Sequence, residues 1–210
     1  MKKLNRMERE RERKKEEILD AAEKLFLKDG FKDTSMDEIA KKSEFSKRTI
    51  YKYFGSKEEL YAAIALRGIQ LFLHVILDSI KGQNTGFDKL KSIATSIVNL
   101  KKINKNYAQV IFYFLTQSAS KNKSTEGFKN CQKLIENIRD LIQKFIEDGI
   151  NDGSIRKDID VKKMALAAQS IFMGLYLLDN SIYSNFLPQD VTFNEIFEYN
   201  INILLSLIKF

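Results

Sequence analysis

Apolar residues return every three or four positions along most of this chain, the period of a helix with one buried face. The first such run is Ile18, Ala21, Ala22, Leu25 and Phe26, and Gly30 stands where a helix C-cap would fall, so the first helix is expected to end near Asp29. Ser35 and Glu38 then have the spacing of a capping box, opening a short helix whose inward stripe is Met36, Ile39 and Ala40. After a break at Ser43-Glu44-Phe45, Ser46 can cap a third helix over 47–54, with Ile50 and Phe54 four apart. Gly55 can end it. Ser56 and Glu59 form a second box, starting a long helix expected to reach about Ile80. One longer helix followed by two short ones around a tight turn is a helix-turn-helix pattern.

Helical spacing continues over 87–103, 106–120, 125–150, 161–180 and 192–209, the last opened by a third box at Thr192 and Glu195. The breaks fall at 82–86, 121–123, 151–153 and 183–190. Nowhere does strand-like alternation flank a hairpin turn, and the chain has a single proline, Pro188. The expected fold is all-α. We expect a boundary near residue 56, with a small three-helix domain over 1–56 and a larger helical domain over 57–210.

Composition narrows the picture. At 44% hydrophobic, the chain is too apolar to stay unfolded. Its one cysteine, Cys131, excludes an internal disulfide. Lys2 and Lys3 are followed by Arg/Glu repeats, which is no signal peptide. The longest apolar run, 164–178, is interrupted by Gln169 and Ser170 and is short of the roughly 20 residues that span a bilayer. A cytoplasmic protein is expected. With 35 basic and 28 acidic residues the net charge is +7, and its placement is more informative than its size. From Ser46 to Lys57, Lys47, Arg48, Lys52 and Lys57 occur without an acid among them. The charged extension over 1–15 reads either as a solvated helix laced by ion pairs or as a basic arm reaching DNA phosphates.

A recognition helix brings its first turn to base edges in the major groove, with its N-terminus near phosphate oxygens. Ser46, Lys47, Arg48, Thr49, Tyr51, Lys52 and Tyr53 supply polar tips for that task while Ile50 and Phe54 face inward. Arg48 suits guanine O6/N7 and Thr49 a thymine methyl. Double-stranded DNA is therefore the expected partner.

The stretch from Ile18 to Ile64 also resembles the N-terminal domain of the tetracycline-repressor (TetR/AcrR) family. The likeness rests on A-A-x-x-L-F at 21–26, G-F at 30–31, T-S-x-x-x-I-A at 34–40, S-x-x-T-I-Y-x-Y-F at 46–54 and the following S-K-E-E-L. The resemblance implies a homodimeric transcriptional regulator, usually a repressor, released from a palindromic operator when a small molecule occupies the C-terminal domain. It also implies phosphate contacts by Ser35, Tyr51, Tyr53 and Lys57, and groove contacts by Lys47, Arg48 and Thr49. Family members often carry glycine in the turn where this chain has Glu44. A positive φ there would strain a non-glycine residue by about 1 kcal/mol.

Past residue 67 the resemblance fades, and spacing must serve. A largely apolar effector site is expected where aromatic and polar groups mix: Phe72 and His74; Tyr107, Ile111, Phe112, Tyr113 and Leu115; and Gln169, Phe172, Met173 and Tyr176. A half-exposed helix position is the other reading of His74. In 161–180 the small residues Ala165, Ala167, Ala168, Ser170 and Gly174 would admit a close helix. In 192–209 an apolar stripe runs through Ile196, Tyr199, Ile203, Leu207 and Phe210, with Leu204 and Ile208 beside it. These two helices are the expected homodimer face. One histidine and one cysteine make no zinc set or C-x-x-C, and no phosphate loop or nucleophile elbow occurs, so neither enzyme activity nor a cofactor is expected. A helical protein-interaction adaptor, or a regulator whose signal is a partner protein, is the alternative.

Overall fold

In the computed structural model, which describes residues 5–103, 107, 110, 111, 114, 125–179, 188 and 190–210, the helical periods become eight helices. They are α1 (Arg6–Asp33), α2 (Met36–Ser43), α3 (Lys47–Tyr53), α4 (Lys57–Ser79), α5 (Gly86–Ile103), α6 (Glu126–Asp152), α7 (Val161–Asp179) and α8 (Phe193–Ile208). Of the helix expected over 106–120, residues 107, 110, 111 and 114 are described, and all are helical. The fold is all-α. Among the described residues there is no strand, only an isolated antiparallel bridge between Ile155 and Lys209.

Capping chemistry sets most helix starts. The boxes at Ser35/Glu38 and Thr192/Glu195 form in full, and Asn5 with Glu8 adds one at the head of α1. The Ser56 box forms by half. Ser56 accepts from the Glu59 N–H at 3.1 Å, but the Glu59 carboxylate accepts from the Gly55 N–H at 2.8 Å. Gly30 ends the regular part of α1, as expected, at φ 81°; a further short turn then runs to Asp33. That turn carries Phe31 onto Tyr61 (ring centroids 4.9 Å apart), which also meets Phe26 (5.2 Å). Thr34 closes the kink by donating to the Gly30 carbonyl at 2.8 Å.

The chain divides into two compact units, Met1–Gly68 with Gln109–Cys131, and Ile69–Ala108 with Gln132–Phe210. In the first unit the buried side chains include Ile18, Ala22, Phe26, Ile39, Ile50, Phe54, Leu60 and Ile64. Arg67 of α4 binds three carboxylates of α1: Asp20 and Glu23 at 2.7 Å each, and Glu16. Tyr61 donates to the Val110 carbonyl, and Cys131 lies buried against the Ala62 carbonyl.

In the second unit Ile76, Ile93 and Phe145 form one cluster; Ile146, Ile155, Ala165 and Ile208 form another; Leu175 and Phe197 form a third. Gly86 and Gly149 let α5 and α6 touch backbone to backbone, since a Cβ on Gly86 would lie 2.2 Å from the Gly149 nitrogen. By length and composition alone α4 is long and apolar enough to cross a membrane. Leu60, Ala62, Ile64, Ala65, Ile69 and Ile76 of this helix are buried inside the fold, as in a core helix.

Candidate nucleic-acid interface

The helix-turn-helix is α2 and α3 with the turn between them. The turn residue Glu44 is left-handed, at φ 58° and ψ 23°, the only non-glycine residue with positive φ among those described. Its side chain is exposed, so no packing compensates the strain. Ile50 is fully buried and Phe54 nearly so. These two anchors turn the opposite face of α3 outward, and Lys47, Arg48, Tyr51 and Lys52 are exposed. Thr49 and Tyr53 are half-buried.

Ser46 caps α3 by accepting from the Thr49 N–H at 3.1 Å, and its hydroxyl also meets the Thr49 hydroxyl at 2.8 Å. Thr49 is thus oriented before any ligand arrives. Ser35, exposed at the head of α2, donates to the Glu38 carboxylate at 2.8 Å while its own N–H does so at 2.7 Å. Those bonds, the backbone one first, hold the Glu38 carboxyl below its ordinary range. Lys57 begins α4 with its ammonium 4.3 Å from the Phe31 ring centre. Burial lowers its pKa, against the pull of Glu58, Asp33 and Glu38.

One feature of this surface was invisible to spacing. Lys47 Nζ lies 2.6 Å from Asp37 Oδ2, so the head of α3 is tied to the head of α2. Arg48 and Lys52 make no ion pair among the described residues. The acid-free window in sequence is therefore not acid-free in space.

The expected effector residues are spread over both units. Phe72 and Phe172 pack as a tilted pair at 5.8 Å, and Phe172 meets Phe197 edge-on at 6.0 Å. Met173 is half-buried, and Gln169 accepts from Arg139 Nε at 3.2 Å. His74 corrects the expectation of a polar anchor. Its side chain is 73% exposed and pairs with Asp78 at 3.0 Å, one helical turn on. Tyr107 is half-buried in the second unit, and Ile111, also half-buried, belongs to the first. Phe112, Tyr113, Leu115 and the side chain of Tyr176 lie outside the described residues.

Along α8, Tyr199 (68% exposed), Ile203, Leu207 and, just beyond the helix, Phe210 (84%) stand in solvent, as does Leu166 of α7. Ile196 departs from the expected stripe and packs against the Leu175/Phe197 cluster, while Ile208 is buried. On α7, Ala165 points into the core, but a Cβ on Gly174 would meet nothing within 4 Å.

Residues 18–64 match the family model of the bacterial regulatory proteins, tetR family. The chain is 25% identical to a fatty acid metabolism regulator protein of Bacillus subtilis, over 74% of this chain and 76% of that one. Its fold is similar to that of the transcriptional regulator FadR from Bacillus subtilis, solved in complex with stearoyl-CoA (TM-score 0.69, 19% identity, 91% of this chain and 97% of that one). It is similar also to AibR, solved in complex with isovaleryl coenzyme A and operator DNA (TM-score 0.66, 21% identity, 94% of this chain and 100% of that one).

Proposed function

Since this chain belongs, through residues 18–64, to the tetR family of bacterial regulatory proteins, we propose that it is a homodimeric cytoplasmic repressor that binds a palindromic operator through α3 and releases it on binding an acyl-chain effector. The observation that carries the DNA-reading role is the division of α3. Two buried anchors, Ile50 and Phe54, leave Lys47, Arg48, Tyr51 and Lys52 exposed around a capped N-terminus. A short helix of this kind can enter the major groove with Arg48 and Thr49 toward base edges, while Tyr51, Lys52 and Tyr53 meet the backbone. Ser46 is the cap that orients this turn; Lys57, at the head of α4, is a flanking phosphate contact, and Ser35, at the head of α2, becomes one by turning its hydroxyl from Glu38 to the phosphate. The exposed stripe of α8, with Leu166, supports the dimer, because large apolar side chains in solvent ask for a partner.

Three facts support the effector class. One relative is named for fatty acid metabolism, two structural neighbours were solved with acyl-coenzyme A thioesters, and the second unit holds the aromatic run Phe72–Phe172–Phe197. Such a run suits an alkyl chain. Effector binding would favour a state whose two α3 helices no longer match half-sites one turn (roughly 34 Å) apart.

The test is duplex binding by fluorescence anisotropy, on sites enriched from a random-sequence pool. Lys47→Ala with Tyr51→Ala should weaken binding by at least roughly 100-fold, since two contacts per subunit are lost at about 1–3 kcal/mol each, with dimer and melting unchanged. Binding equal to the parent's would remove α3 from the interface. Stearoyl-CoA and isovaleryl-CoA, titrated into the parent complex, should release the duplex; release by neither would refute the effector class.

A further inference from the structure

We propose that Asp37 is a specificity-determining residue, which holds the Lys47 ammonium in a neutral pair as a directed donor and so keeps it from binding phosphates indiscriminately. The inference rests on the DNA-reading role of α3 and extends it to a residue outside α3. Asp37 stands in the first turn of α2 and Lys47 in the first turn of α3. Their charged atoms are 2.6 Å apart, although both side chains are open to water, at 75% and 47% exposure. An exposed ion pair adds little to stability, so fold maintenance is a poor reason for it.

The placement has a clear electrostatic logic. A carboxylate at the head of α2 is favoured by the helix dipole, whereas a lysine at the head of α3 is opposed by it. Asp37 offsets that opposition and fixes the end of a flexible four-carbon stem. An ammonium has three N–H donors. One directed at Asp37 leaves two with a defined aim, at the turn of α3 that faces base edges. The pair carries no net charge, so it adds nothing to the sequence-independent attraction for phosphates. Freed from Asp37, Lys47 becomes an ordinary mobile cation that any duplex can recruit.

Binding is measured for the full chain against a pool-selected duplex and a scrambled duplex of the same length, over a series of salt concentrations. With Asp37→Asn, affinity for the scrambled duplex should rise about three- to tenfold, and the salt slope should steepen by about one to two per dimer, one new phosphate contact per subunit. Discrimination between the two duplexes should fall by a similar factor. Asp37→Glu, which keeps the charge, should restore discrimination. In a Lys47→Met background, Asp37→Asn should change discrimination no further. If the parent discriminates and Asp37→Asn matches it in affinity, slope and selectivity, or if the loss is equal in the Lys47→Met background, the role of Asp37 is overturned while α3 keeps its own. If the parent itself holds neither duplex at low salt, the DNA-reading role falls and takes this inference with it. Thermal melting of each variant separates these outcomes from misfolding.

Discussion

At the scale of single residues, the turn of the helix-turn-helix stores a cost that the rest of the domain must carry. Glu44 occupies a left-handed conformation without packing to compensate it. Glycine would adopt that conformation freely, so Glu44→Gly should stabilise the chain by up to about 0.5 kcal/mol, once the looser unfolded state is set against the strain. The check is a thermal melt, and a lower midpoint would contradict the strain. Cys131 shows the opposite case, a reactive group made inert. Burial pushes its thiol up to about 12, so almost none is thiolate at neutral pH. His74 illustrates how a residue rare in the sequence invites a role that its surroundings do not support. Its ring bonds Asp78 in open solvent.

Among the helices, the caps are electrostatic devices that acid should weaken. Glu38 and Glu195 each accept from the backbone N–H and then the hydroxyl of the residue three before, and both carboxyls lie below their ordinary range. A carboxyl lowered by folding contributes stability above its unfolded pKa and loses it as pH falls through the native value. The chain should therefore melt progressively lower below about pH 4.5. Glu195→Gln keeps a hydrogen-bonding side chain but cannot titrate there, so its melting should fall less on acidification than the parent's; equal falls would contradict the assignment.

These caps were legible because a capping box is local, four residues long, and chemically distinctive. Ser35, Ser46 and Thr192 all cap where the spacing placed them. What spacing could not find were contacts between residues far apart in the chain. Asp37 and Lys47 belong to different helices, and Arg67 reaches Glu16, Asp20 and Glu23 from about fifty residues away. Burial opposes the charge on that guanidinium, but the three carboxylates outweigh it and raise the pKa above its usual value. No periodicity announces such a clamp. The half-formed box at Ser56 failed for a geometric reason. Glu59 had a second N–H, that of Gly55, within reach.

For the whole molecule, the described residues keep their large exposed apolar side chains mainly at the C-terminal end, on α7, α8 and the residues just beyond. The stripe Tyr199, Ile203, Leu207 and Phe210 is the exposed apolar surface that the proposed second copy would cover. Two copies related by a two-fold axis would present two α3 helices to one duplex. That symmetry makes a demand on the DNA itself, independent of any substitution in the protein. The most direct measurement is selection of duplexes from a random-sequence pool by the full chain, followed by sequencing of what it retains. Inverted half-sites with centres one helical turn, about 10 base pairs, apart are the predicted result. Retention of no preferred sequence, or of a single unrepeated half-site, would contradict a dimer that reads DNA through α3.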